Sequence, residues 1–255
     1  MALPFSKNQI DKLGERLRAD ALLESDPAML QAVIAHHHDI QASVCQVLDN
    51  YHGGRLEDVS ITGRAKTTPT MLEKLARNRT RLSSMEDLAG VRLVAHMSLT
   101  KQDGVAHEIS ELLDATNLVD RRTDPRSGYR AVHVIGRFDG TPVEVQIRTV
   151  PQDAWANMFE KIADLVGREI RYGHHPAGLS PEKQEGMRVL VDGLVELSDL
   201  IYNVEQRADT DRPDMGLEDY QDALAALDSL PTRVTAVLER LGVDAVVERL
   251  TSPQG

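Results

Sequence analysis

The segment Gly128–Thr149, GYRAVHVIGRFDGTPVEVQIRT, limits what this chain can fold into more than any other stretch. Val132 and Val134 before Asp139-Gly140, and Val143, Val145 and Ile147 after it, alternate with other residues. An Asp-Gly pair suits a tight turn, so the sequence predicts an antiparallel hairpin. Its second strand presents Glu144, Gln146 and Arg148 on one face and Val143, Val145 and Ile147 on the other. The apolar face belongs to a core; the polar face is either solvated or a site.

Residues 61–94 add charged groups in a compatible arrangement. ITGRAK reads as the end of a strand, and TPTMLEKLARNR as a helix with Pro69 near its start and Met71, Leu72 and Leu75 as its apolar stripe. Arg64, Lys66 and Lys74 then gather near one strand-to-helix junction. In SSMEDLAGVRLV, a short helical segment containing Asp87 is expected to lead through Gly90 into a strand carrying Arg92. From Arg64 to Arg92 there are 7 Lys+Arg against 3 Asp+Glu, whereas residues 181–255 hold 16 Asp+Glu against 7 Lys+Arg, which is −9 of the formal −11. The acidity sits in the tail, and the local positive excess suits nucleotide phosphates as well as it suits a solvated helix surface.

The remainder reads as packing helices. Ser6 is the expected cap of a helix carrying Ile10, Leu13 and Leu17. Asp26 is the expected cap of a second, with Pro27 in its first turn and an apolar face from Leu30 through Val33, Ile40, Val44 and Leu48 to Tyr51. His36, His37 and His38 are consecutive, point about 100° apart on a helix, and cannot converge on one ion. GVAHEISELLDATNLV is expected to be helical, with Val105, Ile109, Leu112 and Leu113 inward. DRRTDPRSG, with Arg121, Arg122 and Arg126, is a loop before Gly128-Tyr129. PQDAWANMFEKIADLVGREIRYG continues as a helix burying Trp155, Met158, Phe159, Ile162 and Leu165. From Ser180, Met187, Leu190, Leu194, Leu197, Ile201 and Val204 recur at spacings of three and four, and shorter helices are expected at 217–230 and after Pro231. These tail helices either close the core or form a homo-oligomer seam. One cysteine, Cys45, excludes an internal disulfide framework and fits a reducing cytoplasm. No stretch reaches the roughly twenty apolar residues of a membrane span.

GRAK, DLAGVR, SGYRAVH and EVQIRT, in that order, resemble the synthetase domain of the RelA/SpoT family over roughly residues 54–172. The resemblance implies a mixed α/β domain of the polymerase β-like nucleotidyltransferase kind, with a central sheet of about five strands flanked by helices. Packing helices at 1–53 would precede a core at 54–180, and a helical extension at 181–255 would follow it. It implies a Mg²⁺-dependent transfer of pyrophosphate from ATP to the 3′-hydroxyl of GDP or GTP, giving (p)ppGpp. By the same resemblance Asp87 and Glu144 are the metal-binding and catalytic acids, Glu144 also drawing the hydroxyl proton. Arg64, Lys66, Lys74 and Arg92 face ATP. Arg126, Tyr129, His133, Gln146 and Arg148 face the acceptor, with Tyr129 stacking on guanine and Arg148 supporting Glu144. Where many family members have Pro-Lys and then Asn before Gly-Tyr, this chain has Asp124-Pro125-Arg126-Ser127, so Arg126 stands in for the lysine. Two further readings stay open: a toxin-type relative that modifies tRNA or adenine nucleotides, and a non-catalytic binding module. The acidic tail disfavours nucleic acid.

Overall fold

A computed structural model describes residues 3–65, 71–72, 74–75, 80–173 and 181–210. These form two compact units, one of residues up to 96 with 104–119 and 133–147, the other of 97–103, 120–132 and 148 onward. Lys66, most of the expected 68–79 helix, and the helices expected at 217–230 and after Pro231 lie outside the described residues.

In the first unit, α1 (Lys7–Ala19) starts at a capping box in which Ser6 and Gln9 each accept from the other's backbone N–H, at 3.3 and 2.8 Å. Asp26 opens α2 (Asp26–His52) but does not cap it. Its buried carboxylate takes a two-pronged bond from Arg16 at 2.7 and 2.6 Å and accepts the Leu23 N–H at 2.9 Å, and a guanidinium fork outcompetes a cap. The α2 stripe ends on buried His52 rather than Tyr51, which is 37% exposed with the Arg55 guanidinium 4.5 Å over its ring. His37 is buried and bonded to Val33 O at 2.7 Å, as befits a core histidine.

β1 (Glu57–Ala65) pairs antiparallel with β2 (Ala89–His96), aligning Arg64 with Gly90 and Thr62 with Arg92. This pairing draws Ala89 and Gly90 into the strand. Just before it come a 3₁₀ turn, Leu82–Ser84, and then a turn that holds Asp87, which is therefore not in a helical segment. Gly63 is required by close approach: a Cβ there would lie 2.6 Å from Oε1 of Gln41, whose amide donates to Gly90 O at 2.6 Å and ties α2 to the strands. The hairpin is as expected. β4 (Val132–Phe138) and β5 (Thr141–Thr149) flank Asp139 and Gly140, whose φ values of 48° and 75° make the turn that matches strand twist. β3 (Asn117–Asp120) completes a five-stranded mixed sheet in the order β1-β2-β5-β4-β3. Here the expected helix over 104–119 is corrected. α3 runs Leu99–Leu112, Leu112 is 39% exposed, and Asp114 turns left-handed (φ 43°), releasing Asn117–Asp120 to the sheet edge. Val91, Leu93, Val134, Val143, Val145 and Ile147 are buried in the sheet. Ile10, Leu13, Val33, Met71, Leu75 and Leu82 form a second cluster. Each such side chain contributes about 1.5–3 kcal/mol.

In the second unit, α4 (Val150–Val166) begins with a Thr149–Gln152 capping box and ends at Gly167 (φ 126°), after which Arg168–Tyr172 is a 3₁₀ turn rather than more helix. The stripe of α5 (Pro181–Thr210) packs Met187, Leu190, Leu194 and Ile201 against Trp155, Phe159 and Ile162 of α4. No described helix is long and apolar enough to cross a membrane.

Candidate functional site

In the first unit, β5 carries Glu144 half-buried beside His133 of β4, whose Nδ1 lies 2.8 Å from Glu144 Oε1. Gln146, two residues on, donates to Glu144 Oε2 at 3.3 Å and accepts from Arg64 Nη1 at 3.2 Å, so one chain of contacts runs from β1 through β5 to β4. Burial pushes the Glu144 carboxyl up, but the hydrogen bond and charge of His133 outweigh it. With Gln146 also lowering and Asp87 raising, the net position is below the usual range, and the group is ionised at neutral pH. Asp87 is thus near enough to act on Glu144 electrostatically. It is paired at 2.5 Å with Nζ of Lys74, a helical residue. Arg92 projects from β2, half-buried.

Two carboxylates that feel each other's charge, one of them held ionised, suit Mg²⁺, which takes one or two protein carboxylates and completes its shell with phosphate oxygens and water. No three His, Cys, Asp or Glu side chains gather for a metal among the described residues.

In the second unit, Tyr129 is half-buried. Its N–H donates to Arg126 O at 2.9 Å, its hydroxyl accepts from Arg148 Nη2 at 3.0 Å, and the Arg148 guanidinium lies 5.0 Å from its ring centroid. Arg126 itself is exposed.

The model of the family described as "Region found in RelA / SpoT proteins" matches residues 63–165. Uncharacterised proteins of Mycobacterium tuberculosis and Mycobacterium bovis are 36% identical over 203 residues, covering 76% of this chain and 74% of theirs. This chain belongs to the RelA/SpoT family. Among other relatives of this family, the Bacillus subtilis protein named GTP pyrophosphokinase YwaC is 24% identical over 153 residues, 49% of this chain and 65% of that one. The crystal structure of small alarmone synthetase 1 from Bacillus subtilis shares the fold, with a TM-score of 0.52 at 18% identity over 75% of this chain and 98% of that one. The family relationship supports a (p)ppGpp synthetase-type, pyrophosphokinase-class protein.

The RelA/SpoT motif residues therefore fall into two local groups. Arg64, Lys74, Asp87, Arg92, His133, Glu144 and Gln146 lie in the first unit, and Arg126, Tyr129 and Arg148 in the second. Arg148 departs from expectation. It is fully buried and donates to Asp153 at 2.8 Å and to Tyr129, whereas Glu144 is supported by His133 and Gln146. Arg121 pairs with Asp124 at 3.5 Å, and Arg122 is also committed, to Asp120 at 2.6 Å, to Asp103, and to Leu99 O at 3.2 Å. Burial opposes its charge, but the two carboxylates outweigh that and raise its pKa further.

Sequence reasoning missed Glu205. This α5 residue is 5% exposed and accepts from Thr149 Oγ1 and from Gln152 Nε2, the latter at 3.1 Å. Burial raises its pKa to about 6 against the pull of Thr149, Gln152, Arg122 and Arg130. A raised carboxyl destabilises the fold when ionised. The cost is absent below the ordinary value of 4.5, grows as pH rises through the interval to about 6, and is complete above it. Glu205→Gln is expected to add about 2 kcal/mol at pH 7.5 and nothing at pH 4.5, checked by Tm against pH. An equal gain at both pH values would contradict the burial account. A polar residue four positions after Ile201, on an otherwise apolar stripe, was the available signal.

Proposed function

We propose that this chain is a Mg²⁺-dependent nucleotide pyrophosphokinase acting between ATP and the 3′-hydroxyl of GDP or GTP. In the balanced reaction the 3′-oxygen attacks the β-phosphorus of ATP, the bond from that phosphorus to the α–β bridging oxygen breaks, AMP leaves, and the hydroxyl proton is lost. The observation that carries this reading is Glu144, held ionised by His133 and Gln146 with Asp87 close by, in a chain of this family. Bound Mg²⁺ would supply charge neutralisation of the phosphate oxygens. Asp87 and Glu144 would hold it, and Glu144 would accept the hydroxyl proton. Lys74, now on Asp87, is a cation for which a triphosphate competes, and Arg64 and Arg92 add further charge on the donor side. Tyr129 offers a purine its ring face, and exposed Arg126 is the cation for the acceptor diphosphate.

The deciding experiment incubates the purified protein with Mg²⁺ and labelled ATP against GDP, GTP, ATP and tRNA in turn. Label is expected on GDP or GTP. Label on tRNA or an adenine nucleotide would replace the acceptor. No transfer to any of them, with no binding of a non-hydrolysable ATP analogue, would leave a binding module.

A further inference from the structure

Tyr129 sits between two residues that are both gripped by α5. Gly128 has φ +82°, and a Cβ on it would lie 2.7 Å from Cζ2 of Trp155 and 3.3 Å from Cα of Val195 in α5. Its carbonyl accepts the Ser198 hydroxyl, itself buried. On the other side of Tyr129, Arg130 is buried. Its Nε donates to Ser198 Oγ at 3.1 Å, its Nη2 to Asp199 Oδ1 at 2.5 Å, and its guanidinium lies 4.4 Å from the Tyr202 ring centroid. Ser198 thus bonds the residue before Tyr129 and the residue after it with one hydroxyl.

We propose that Ser198, Asp199 and Tyr202 form a clamp that positions the Tyr129 ring and so sets affinity for the acceptor purine, a reading that rests on the function proposed above. Arg130 is a cation in a motif otherwise suited to phosphate, yet its charge is spent on Asp199 and its plane on Tyr202, so its work is to fix backbone and not to bind ligand. Tyr129 is constrained from both flanks and through its hydroxyl by Arg148, and a ring already in place loses little freedom when a base stacks on it. Finally, α5 (181–210) lies beyond residue 165, where the family match ends, so residues outside the shared motifs would tune a motif residue. These are positioning residues.

The test is ¹⁹F NMR of the full chain labelled with 3-fluorotyrosine. The chain has five tyrosines, and the Tyr129 signal is assigned with Tyr129→Phe. Calorimetry with GDP and with a non-hydrolysable ATP analogue in Mg²⁺ accompanies it. Asp199→Ala, at a half-exposed position that threatens the fold little, and Tyr202→Leu are expected to shift or broaden the Tyr129 resonance. They should raise the GDP Kd about tenfold, the loss expected if the ring keeps its stacking pose one tenth of the time, and leave the ATP-analogue Kd unchanged. Tyr202→Phe keeps the ring under Arg130 and is expected to match the unmutated chain. A Tyr129 resonance that does not move, or donor and acceptor affinities that fall together, would overturn the clamp. If the unmutated chain binds no guanine nucleotide, the proposed function fails, and the Tyr129 resonance alone then decides the clamp.

Discussion

Glu144→Gln is expected to slow pyrophosphoryl transfer by roughly 10²–10³-fold or more, and Asp87→Asn to do the same, with Tm almost unchanged in both. Gln keeps an oxygen for His133 Nδ1 but loses the charge, and the charge is what a metal ion and a departing proton require. The change in stability should be small beside the loss of rate, because Gln keeps an oxygen facing His133 and Asn keeps one to which Lys74 can donate. Steady-state rates at saturating Mg²⁺ together with thermal melts check this, and a rate near that of the unmutated chain in either variant would sink the assignment. The sign with pH also follows. Because the Glu144 pKa is lowered, the stability that its ionised form contributes is fully present above the ordinary carboxylate value and is lost as pH falls through the lowered one.

The second large effect is on stability. Arg148 is 0% exposed; burial opposes its charge, but its contact with Tyr129 and its bond to Asp153 at 2.8 Å together outweigh that, so its pKa is raised. Arg148→Met removes the buried member of a pair whose other member, Asp153, is half-buried, which is expected to cost about 3 kcal/mol, the low end for a buried pair, and to lower Tm by roughly 6–12 °C for a chain of this size. The double variant Arg148→Met/Asp153→Leu should recover part of that, because no lone charge remains. An unaltered Tm in Arg148→Met would return Arg148 to the ligand-facing role that its strand position suggests.

That contrast shows what was legible in the sequence. The Gly128–Thr149 hairpin could be read because alternation and an Asp-Gly turn are local signals, and both are expressed in β4 and β5. Alternation also gave the face on which Glu144, Gln146 and Arg148 lie, but not which of them ends in a closed interior. That depended on Asp153, five residues on in α4, and on Tyr129, nineteen residues back. The 104–119 segment misled because apolar spacing continues past Leu112 without a Gly or Pro, and the break is the left-handed Asp114, a residue type that tolerates this conformation without announcing it. Asp87 was found by its motif and misplaced by its surroundings, since the pairing of Ala89 with Ala65 that extends β2 is non-local.

The chain holds a single tryptophan, Trp155. Its ring stacks on Phe159 with centroids 4.9 Å apart, its indole N–H donates to Leu194 O at 2.8 Å, and its edge fills the space that a side chain at 128 would need. One fluorophore therefore reports at once on the α4–α5 packing and on the seating of the residue before Tyr129, with no label and no mutation. Its buried indole should emit well to the blue of a solvated one. A red shift that accompanies nucleotide addition, or that precedes unfolding in denaturant, would mark the moment at which α5 lets go of Gly128.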